Sequence, residues 1–295
     1  MSLVWSSGFN GITDPDAQTY IAAVETADGQ AIEGDVALAI SDFVVGCKLD
    51  GIWDAIKASC ILAGARTLNG ALVPLANASG VAPTLNGTAG GWNYNRKTGL
   101  QGNGTDNYIN SGRNNDAEPS QDSKHLAVFR TASETIDGSI RSSIAGAVGS
   151  TSSQLVVLNA TQKVLRLNDY SDEFTGTLYS YGLWGISRAN SSAITERLNN
   201  LSTNRSQTTS APANGRLMVF ARGLQSGAVD GYSDARIAFY SIGEAIDLEK
   251  LDTRVTRLMN LITYTQTAGL PDLSTMDLDA ASYIGGGYRA GGTLS

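Results

Sequence analysis

The chain is poor in the residue types on which much enzyme and metal chemistry depends. Its 295 residues include one histidine, two cysteines and six prolines, and only 17% of them are charged. Cys47 and Cys60 belong to no Cys-x-x-Cys pair and no Cys/His cluster, which excludes a metal cage of soft ligands. We expect two free, buried thiols, with a Cys47–Cys60 disulfide as the alternative.

Positive charge and long apolar runs are also scarce. The net charge is −7 and the isoelectric point is about 4.7, so the clustered Lys and Arg that neutralise phosphates are missing and we expect no nucleic-acid binding. No run of about 18 apolar residues occurs, and the first residues have neither the basic start nor the apolar core of a secretory signal. The sequence therefore predicts no membrane insertion.

Residues 1–66 predict a small helical module that attaches the chain to something larger. Thr13 or Asp14 can cap a first helix, and Pro15 is tolerated in its first turn. Asp28-Gly29 indicates its end. About fifty helical residues bury too little surface to be stable alone, so we expect this module to dock on the sandwich or on a neighbouring subunit.

Two further helices are predicted within this module. The second is indicated by an apolar stripe at helical spacing, made of Val36, Ile40, Phe43, Val44 and Cys47. It should stop near Asp50-Gly51. A third helix is expected from Ile52 to Cys60.

Residues 67–91 are rich in Gly, Ala, Asn and Pro, which predicts a linker. Residues 92–264 are dominated by short β-rich runs between turn residues, which favours a mainly β, antiparallel jelly-roll sandwich. The predicted strands are Tyr108-Ile109, His125–Arg130, Ser139–Ala145, Leu155–Leu158, Val164–Leu167, Thr177–Ile186, Arg216–Arg222 and Arg236–Ile242. A closing helix is expected over residues 247–263, capped by Asp247. Residues 265–295 predict an extended tail.

Both ends of this β region resemble laminin-G/concanavalin-A-like domains of bacterial and phage proteins. Residues 234–247, Asp-Ala-Arg-Ile-Ala-Phe-Tyr-Ser-Ile-Gly-Glu-Ala-Ile-Asp, and the helix after them look like the last strand, turn and terminal helix of that family. Residues 97–100 and 102–109, the latter Gly-Asn-Gly-Thr-Asp-Asn-Tyr-Ile, resemble its opening hairpin. The resemblance implies a concanavalin-A/laminin-G-like sandwich.

The upstream segment extends the resemblance. Residues 42–48, Asp-Phe-Val-Val-Gly-Cys-Lys, and 51–60, Gly-Ile-Trp-Asp-Ala-Ile-Lys-Ala-Ser-Cys, joined to such a sandwich, resemble tail-associated structural proteins of tailed phages, including phages of cyanobacteria. This resemblance implies location in a virion, other virion proteins as partners, and a homo-oligomer. For a fibre-like component we expect a trimer.

Candidate catalytic groups are few, and we expect the protein not to be an enzyme. His125, on a predicted strand, would have to be the base of any Ser-His-Asp mechanism, and a structural role is favoured. Concanavalin-A-like hydrolases need paired acids, but Asp169, Asp172 and Glu173 fall in a predicted turn.

Residues 99–104 have the glycine spacing of a phosphate-binding loop but lack the Lys-Ser/Thr that should follow it, so we interpret them as a β-hairpin turn. Asn199-Asn200 likewise suits a hairpin.

Calcium is the one ion that the sequence leaves open, and no other cofactor is expected. Laminin-G-type domains often hold Ca²⁺ at the rim with Asp, Asn and backbone oxygens. Solvated turns are the alternative interpretation. The candidate ligands are Asp230, Asp234, Asp169 and Asp172, together with Asn103 and Asp106.

A sugar site needs an aromatic face for stacking and a few planar polar side chains at fixed positions. Trp92, Tyr94, Tyr170 and Tyr232 lie in predicted loops and are the candidates for binding glycan. The sequence thus predicts a virion structural protein, a tail-tip or fibre component that recognises host-surface carbohydrate. The alternatives are a capsid decoration or baseplate adaptor with a purely structural sandwich and, as a minor one, a glycoside hydrolase.

Overall fold

Two β-sheets packed face to face form the centre of the protein, and helices cover the outer face of one of them. The computed structural model describes residues 11–76, 82–170, 173–175 and 181–265. Within these ranges the helices are α1 (Pro15–Asp28), α2 (Gly34–Leu49), α3 (Leu68–Ala71) and α4 (Leu248–Thr265). The predicted fold class, a mainly β sandwich with small N-terminal helices and a C-terminal helix, is confirmed.

Sheet A lies under the helices. Its described strands are β1 (Ile56–Ile61), β3 (Asn93–Asn95), β4 (Gly99–Gln101), β6 (Lys124–Ala132), β11 (Gly182–Arg188), β12 (Ala193–Leu198), β13 (Leu201–Ser206) and β17 (Arg236–Gly243). They lie in the order β13-β12-β11-β6-β17-β4-β3, with β1 on the second half of β17 beyond the end of β4. All of these pairs are antiparallel.

Sheet B faces it. Its described strands are β2 (Thr84–Asn86), β5 (Tyr108–Asn114), β7 (Arg141–Val148), β8 (Ser152–Asn159), β9 (Gln162–Asp169), β10 (Glu173–Thr175), β14 (Arg216–Val219), β15 (Arg222–Leu224) and β16 (Val229–Asp230). The order is β10-β9-β8-β7-β14-β5-β2. β15 pairs in parallel with β7 and antiparallel with β16, so residues 222–230 form a short hairpin that is bonded to β7.

Two large hydrophobic cores result from this arrangement. The first lies between the sheets and includes Leu126 and Trp184 from sheet A and Leu155 and Leu165 from sheet B. The second lies between the outer face of sheet A and the helices, where the ring of Phe43 in α2 meets that of Phe239 in β17 edge-on at 5.6 Å. Because both faces of sheet A are covered, β11 is apolar on both parities, as expected for a central strand.

The predicted helix ends are largely confirmed. The Asp14 carboxylate accepts the backbone N–H groups of Asp16 and Ala17, and Pro15 is the first residue of α1. Gly29, at φ 68°, ends α1 in the left-handed conformation that glycine adopts without strain. The Asp247 carboxylate likewise accepts two backbone N–H groups at the start of α4.

The third predicted helix, Ile52 to Cys60, is wrong. Trp53–Ala55 form one 3₁₀ turn, and Ile56–Ile61 form β1, which pairs with β17. The second half of β17 would otherwise present unpaired backbone groups, and a segment with β-branched ends fits that edge, so long-range pairing outweighs the local helical pattern. That residues 1–66 form a separate domain stays a prediction.

The expected linker and opening hairpin also differ from the structure. Residues 67–91 contain α3 and the edge strand β2. Gly99–Gln101 are strand β4, which forms a hairpin with β3, but the hairpin turn predicted after them is wrong, because residues 102–107 lead from β4 in sheet A to β5 in sheet B. Asn103 organises the crossing, since its Oδ1 accepts the N–H groups of Thr105, Asp106 and Asn107 at 3.0–3.1 Å.

Other predictions are confirmed or fall outside the described ranges. Asn199 and Asn200 form the β12–β13 hairpin turn, both with positive φ. Both cysteines are buried and unpaired. Residues 177–180 of the strand predicted over 177–186, and the tail after residue 265, lie outside the described residues. Over the described ranges no helix is long and apolar enough to cross a membrane.

Candidate glycan-binding site

The two ends of β6 mark the two ends of the sandwich, and loops gather at each. Beyond the end of β6, the Thr135 N–H and hydroxyl donate to the Asp234 carboxylate at 2.9 and 2.5 Å. At its start, Lys124 Nζ donates to Asn168 Oδ1 at 2.9 Å, near the end of β9. We call the end of the sandwich beyond the last residue of β6 the aromatic end; it includes Trp92, Asp106, Tyr108, Asp230, Tyr232 and Asp234. We call the end at the first residue of β6 the lysine end; it includes Asn115, Lys124, Asn168, Asp169 and Tyr170.

Two tyrosines stand side by side at the aromatic end. Tyr108 is the first residue of β5 and Tyr232 follows β16, and their ring centroids are 6.3 Å apart at an interplanar angle of 41°. Both side chains are partly exposed. The Tyr232 hydroxyl donates to the Val229 carbonyl at 2.8 Å, which fixes the ring. Partial burial, and then Tyr108 and two nearby aspartates, raise the pKa of Tyr232, so its hydroxyl stays protonated at neutral pH.

Polar side chains beside this pair are held in fixed positions. Arg222 forms a two-point ion pair with Asp230, at 2.8 Å for both Nε and Nη2. The Asp106 carboxylate accepts the Thr88 N–H and hydroxyl and the Asn103 amide at 2.6–3.0 Å. These bonds to Asn103 and Thr88 lower the pKa of Asp106. The tyrosines thus lie beside two carboxylates that hydrogen bonds and an ion pair hold in place.

Arg141 and Gly231 set the shape of this loop. Arg141 Nη1 donates to the carbonyls of Gly104 and Tyr232 at 2.7 and 2.9 Å, and Nη2 pairs with Asp137 at 2.7 Å. Gly231 has φ 58°, and a Cβ there would lie 2.9 Å from Arg222 Nε. Only glycine therefore lets the Arg222 side chain lie across this turn.

Two of the four predicted glycan contacts mainly pack. Trp92 meets Phe220 edge-on at 5.4 Å at the margin of the inter-sheet core. Tyr94 lies in β3, so its predicted loop position is wrong, and its hydroxyl donates to the Ala65 carbonyl at 2.7 Å on the helical side. Burial raises the pKa of Tyr94 well above its usual value.

The remaining aromatic candidate, Tyr170, lies at the lysine end. It is 65% exposed, and its N–H donates to the carboxylate of the buried Asp169 at 2.7 Å. Of the four predicted glycan contacts, the structure therefore places Tyr232 in the tyrosine pair, Trp92 at the same end, and Tyr94 and Tyr170 elsewhere.

The predicted calcium ligands are divided in the same way. Asp230 and Asp234, with Asn103 and Asp106, lie at the aromatic end, where each carboxylate already accepts hydrogen bonds from side chains of the protein. Asp169 lies at the opposite end, and Asp172 falls outside the described residues. No group of three His, Cys, Asp or Glu side chains suited to a metal occurs within the described ranges. Calcium binding stays a prediction.

His125 is built into the structure below the lysine end. It is fully buried, with Nδ1 2.5 Å from the Glu244 carbonyl and Nε2 2.7 Å from Ser241 Oγ. A carbonyl only accepts, so Nδ1 carries the proton and the neutral Nε2 accepts the Ser241 hydroxyl. Burial lowers the pKa of His125 to about 4. The arrangement is that of a structural histidine.

Sequence reasoning missed Tyr108 and Arg222 as members of the site. Both fell in predicted strands, where the sequence indicates packing rather than contact. The signal available for Tyr108 was its place directly after the polar loop 102–107, because the first residue of a strand lies at the rim of a sandwich. Arg222 gave no such signal, since its pairing with Asp230 depends on the β15–β16 turn.

No family model and no curated protein matches this chain. Solved structures with partial similarity include the carbohydrate-binding module CBM40 of the Ruminococcus gnavus IT-sialidase bound to α2,3-sialyllactose, at TM-score 0.37 and 12% identity over 46% of this chain and 82% of that one. A mutant Trypanosoma rangeli sialidase displaying trans-sialidase activity gives 0.48 and 11% over 71% and 34%. The NanB sialidase of Streptococcus pneumoniae gives 0.36 and 10% over 45% and 24%, so the match covers only 34% and 24% of these two sialidases.

Proposed function

We propose that this protein is a non-catalytic structural component of a phage virion, at the tail tip or in a fibre, and that its aromatic end binds host-surface glycan. The observation that carries the binding part is the Tyr108–Tyr232 pair beside two fixed carboxylates. Tyrosine rings stack on the apolar face of a sugar, while carboxylates accept its hydroxyl protons. A rim of this composition combines both requirements.

The phage part of the proposal has a different basis. It is supported by the sequence resemblance of residues 42–48 and 51–60, joined to a laminin-G/concanavalin-A-like sandwich, to tail-associated structural proteins of tailed phages, and it makes other virion proteins the partners of this chain. A homotrimer in the virion is the assembly that we propose for a fibre component. Host-adsorption assays with purified protein as competitor test this part separately, and failure to reduce phage adsorption would count against an adhesin.

The binding site is tested by screening the purified protein on a glycan array and repeating the assay with Tyr108→Ala and Tyr232→Ala. We expect each substitution to weaken binding at least tenfold, because each removes one stacking surface. The matched control is Tyr170→Ala, which removes a more exposed tyrosine at the opposite end. Loss of binding in the control alone would move the site to the lysine end, and no binding to any glycan would remove the proposal.

A purely structural role has one observation of its own in favour. Leu38, Val45 and Leu49 lie on one face of α2, at positions i, i+7 and i+11, and are 42%, 36% and 80% exposed. An exposed apolar stripe suits packing against another virion subunit. The test changes Leu38, Val45 and Leu49 to Ser and measures how much of the variant is incorporated into assembled particles. If the variant folds normally but is not incorporated, an adaptor or decoration role is favoured. The position of the wild-type protein in a particle map would then distinguish the tail from the capsid.

A further inference from the structure

We infer that the aromatic end selects uncharged glycans, those that end in neutral hexoses or N-acetylhexosamines, and discriminates against sugars that carry a carboxylate. This inference rests on the proposed glycan-binding function and names the ligand class of the same site. It is drawn from the charge around the Tyr108–Tyr232 pair and from the way in which that charge is already engaged.

The charged side chains at the aromatic end do not balance. Four carboxylates, those of Asp106, Asp137, Asp230 and Asp234, share this rim with three guanidiniums, those of Arg141, Arg222 and Arg236. Negative charge is therefore in excess by one. The Arg130–Glu134 pair nearby is buried and adds no net charge.

The three guanidiniums at the aromatic end already donate hydrogen bonds to acceptors within the protein. Arg222 gives Nε and Nη2 to Asp230. Arg141 gives its two Nη atoms to Asp137 and to two backbone carbonyls. Arg236 donates to the carbonyls of Asn93 and Gly99 and to the side chain of Gln101. A sugar carboxylate would therefore have to share a guanidinium whose donors already serve protein acceptors, and at Arg222 it would compete with the Asp230 carboxylate for the same positive charge.

Charged and neutral sugars make different demands on this site. A carboxylated sugar must shed water from its charged group, and here it would meet the like charges of Asp106 and Asp230. A neutral sugar offers hydroxyl donors, which match carboxylates whose oxygens have further lone pairs free to accept. The Tyr232 hydroxyl, which already donates to Val229, is likewise an acceptor for a sugar hydroxyl.

The test uses matched pairs of immobilised glycans, each neutral glycan printed beside the same glycan capped with sialic acid or with a uronic acid. We expect the neutral member of a pair to bind at least tenfold more tightly than its capped partner. We also expect binding to change less than twofold between 50 and 500 mM NaCl, because no ion pair with the ligand forms. Tighter binding of the capped members, or a steep loss of affinity with salt, would overturn the inference and leave glycan binding intact. Absence of binding to every probe would instead overturn the proposed function.

A substitution sharpens the assignment. Asp230→Asn removes one negative charge and frees the Arg222 guanidinium, so the preference for the neutral member should fall at least threefold. The control is Asp16→Asn, an exposed aspartate on α1 that pairs with Lys48 on the helical side. Equal discrimination in the wild type and in Asp230→Asn would show that the aromatic end does not set the preference. Thermal unfolding of both variants confirms that they are folded.

Discussion

The lysine end and the aromatic end are built from the same kinds of residue, yet they use their polar groups in opposite ways. At the lysine end the amino group of Lys124 is fully buried and lies within hydrogen-bond distance of the Asn115 backbone and side-chain oxygens, Asn168 Oδ1 and Ser153 Oγ. At the aromatic end, ion pairs and tyrosine rings stay partly exposed. The polar groups of the lysine end are therefore part of the buried core, whereas those of the aromatic end are partly exposed to solvent.

The difference teaches that a loop rich in Asn, Asp and Ser carries no functional meaning until its partners are known. Asn115 and Asn168 accept hydrogen bonds from the buried Lys124 amino group, which joins β6 to the ends of β5 and β9, so they are part of the core. Asp106 and Asp230 are fixed by neighbours, but their carboxylates border solvent. Substitutions should therefore cost stability at the lysine end and binding at the aromatic end.

The largest effect is expected for Lys124→Ala. The substitution opens a cavity and leaves several buried oxygens without a donor, and we expect it to lower the free energy of unfolding by about 4 kcal/mol. Chemical denaturation measures this change. Lys57→Ala is the control, since Lys57 forms a surface pair with Glu244 and should cost about 1 kcal/mol or less. A similar loss in both variants would contradict the core role of Lys124.

The next effect is a pH dependence that comes from His125. Its folded pKa is about 4 against an ordinary 6.5, so the unfolded chain takes up the proton first and stability falls as the pH falls through this window. A shift of this size corresponds to a loss of about 3 kcal/mol between pH 6.5 and pH 4. His125→Gln should flatten this part of the stability curve in denaturation measured at several pH values. An unchanged slope in the variant would assign the dependence to other groups.

Features that depend on neighbouring residues could be predicted from the sequence. The caps at Asp14 and Asp247 and the Asn199-Asn200 turn follow from local chemistry, because each side chain or backbone angle serves groups within a few positions. The alternation of short β-rich runs predicted the sandwich for the same reason. The double coverage of β11 was readable from its apolar character on both faces.

Features that depend on residues far away in the sequence could not be predicted. Ile56–Ile61 is a strand because β17, about 180 residues later, offers an open edge. Residues 102–107 cross between sheets, although their Gly-Asn-Gly pattern is typical of a hairpin. The tyrosine pair joins residues 124 positions apart, and only Tyr232 was among the candidates. Periodicity and turn composition contain no information about such pairings.

A smaller effect is expected at Gly231, where stability and binding should change together. Gly231→Ala places a side chain at φ 58° against Arg222, so we expect a loss of about 1–2 kcal/mol in stability and displacement of the Arg222–Asp230 pair. Glycan affinity should fall at least threefold. Gly227→Ala is the control, because it has a similar φ of 87° and open space around it. Equal loss of glycan affinity in both variants would show that the position of Arg222 is immaterial.

The smallest effect should come from Tyr232→Phe, which separates the stacking surface from the hydroxyl. The change removes one hydrogen bond, to the Val229 carbonyl, at a partly exposed site, so stability should fall by about 1 kcal/mol or less. The ring remains, and glycan affinity should fall no more than threefold, whereas Tyr232→Ala should lose at least tenfold. Calorimetric titration with a glycan identified on the array measures both. Equal losses for Phe and Ala would mean that the hydroxyl, rather than the ring, makes the contact, and the aromatic end would then bind sugars through hydrogen bonds alone.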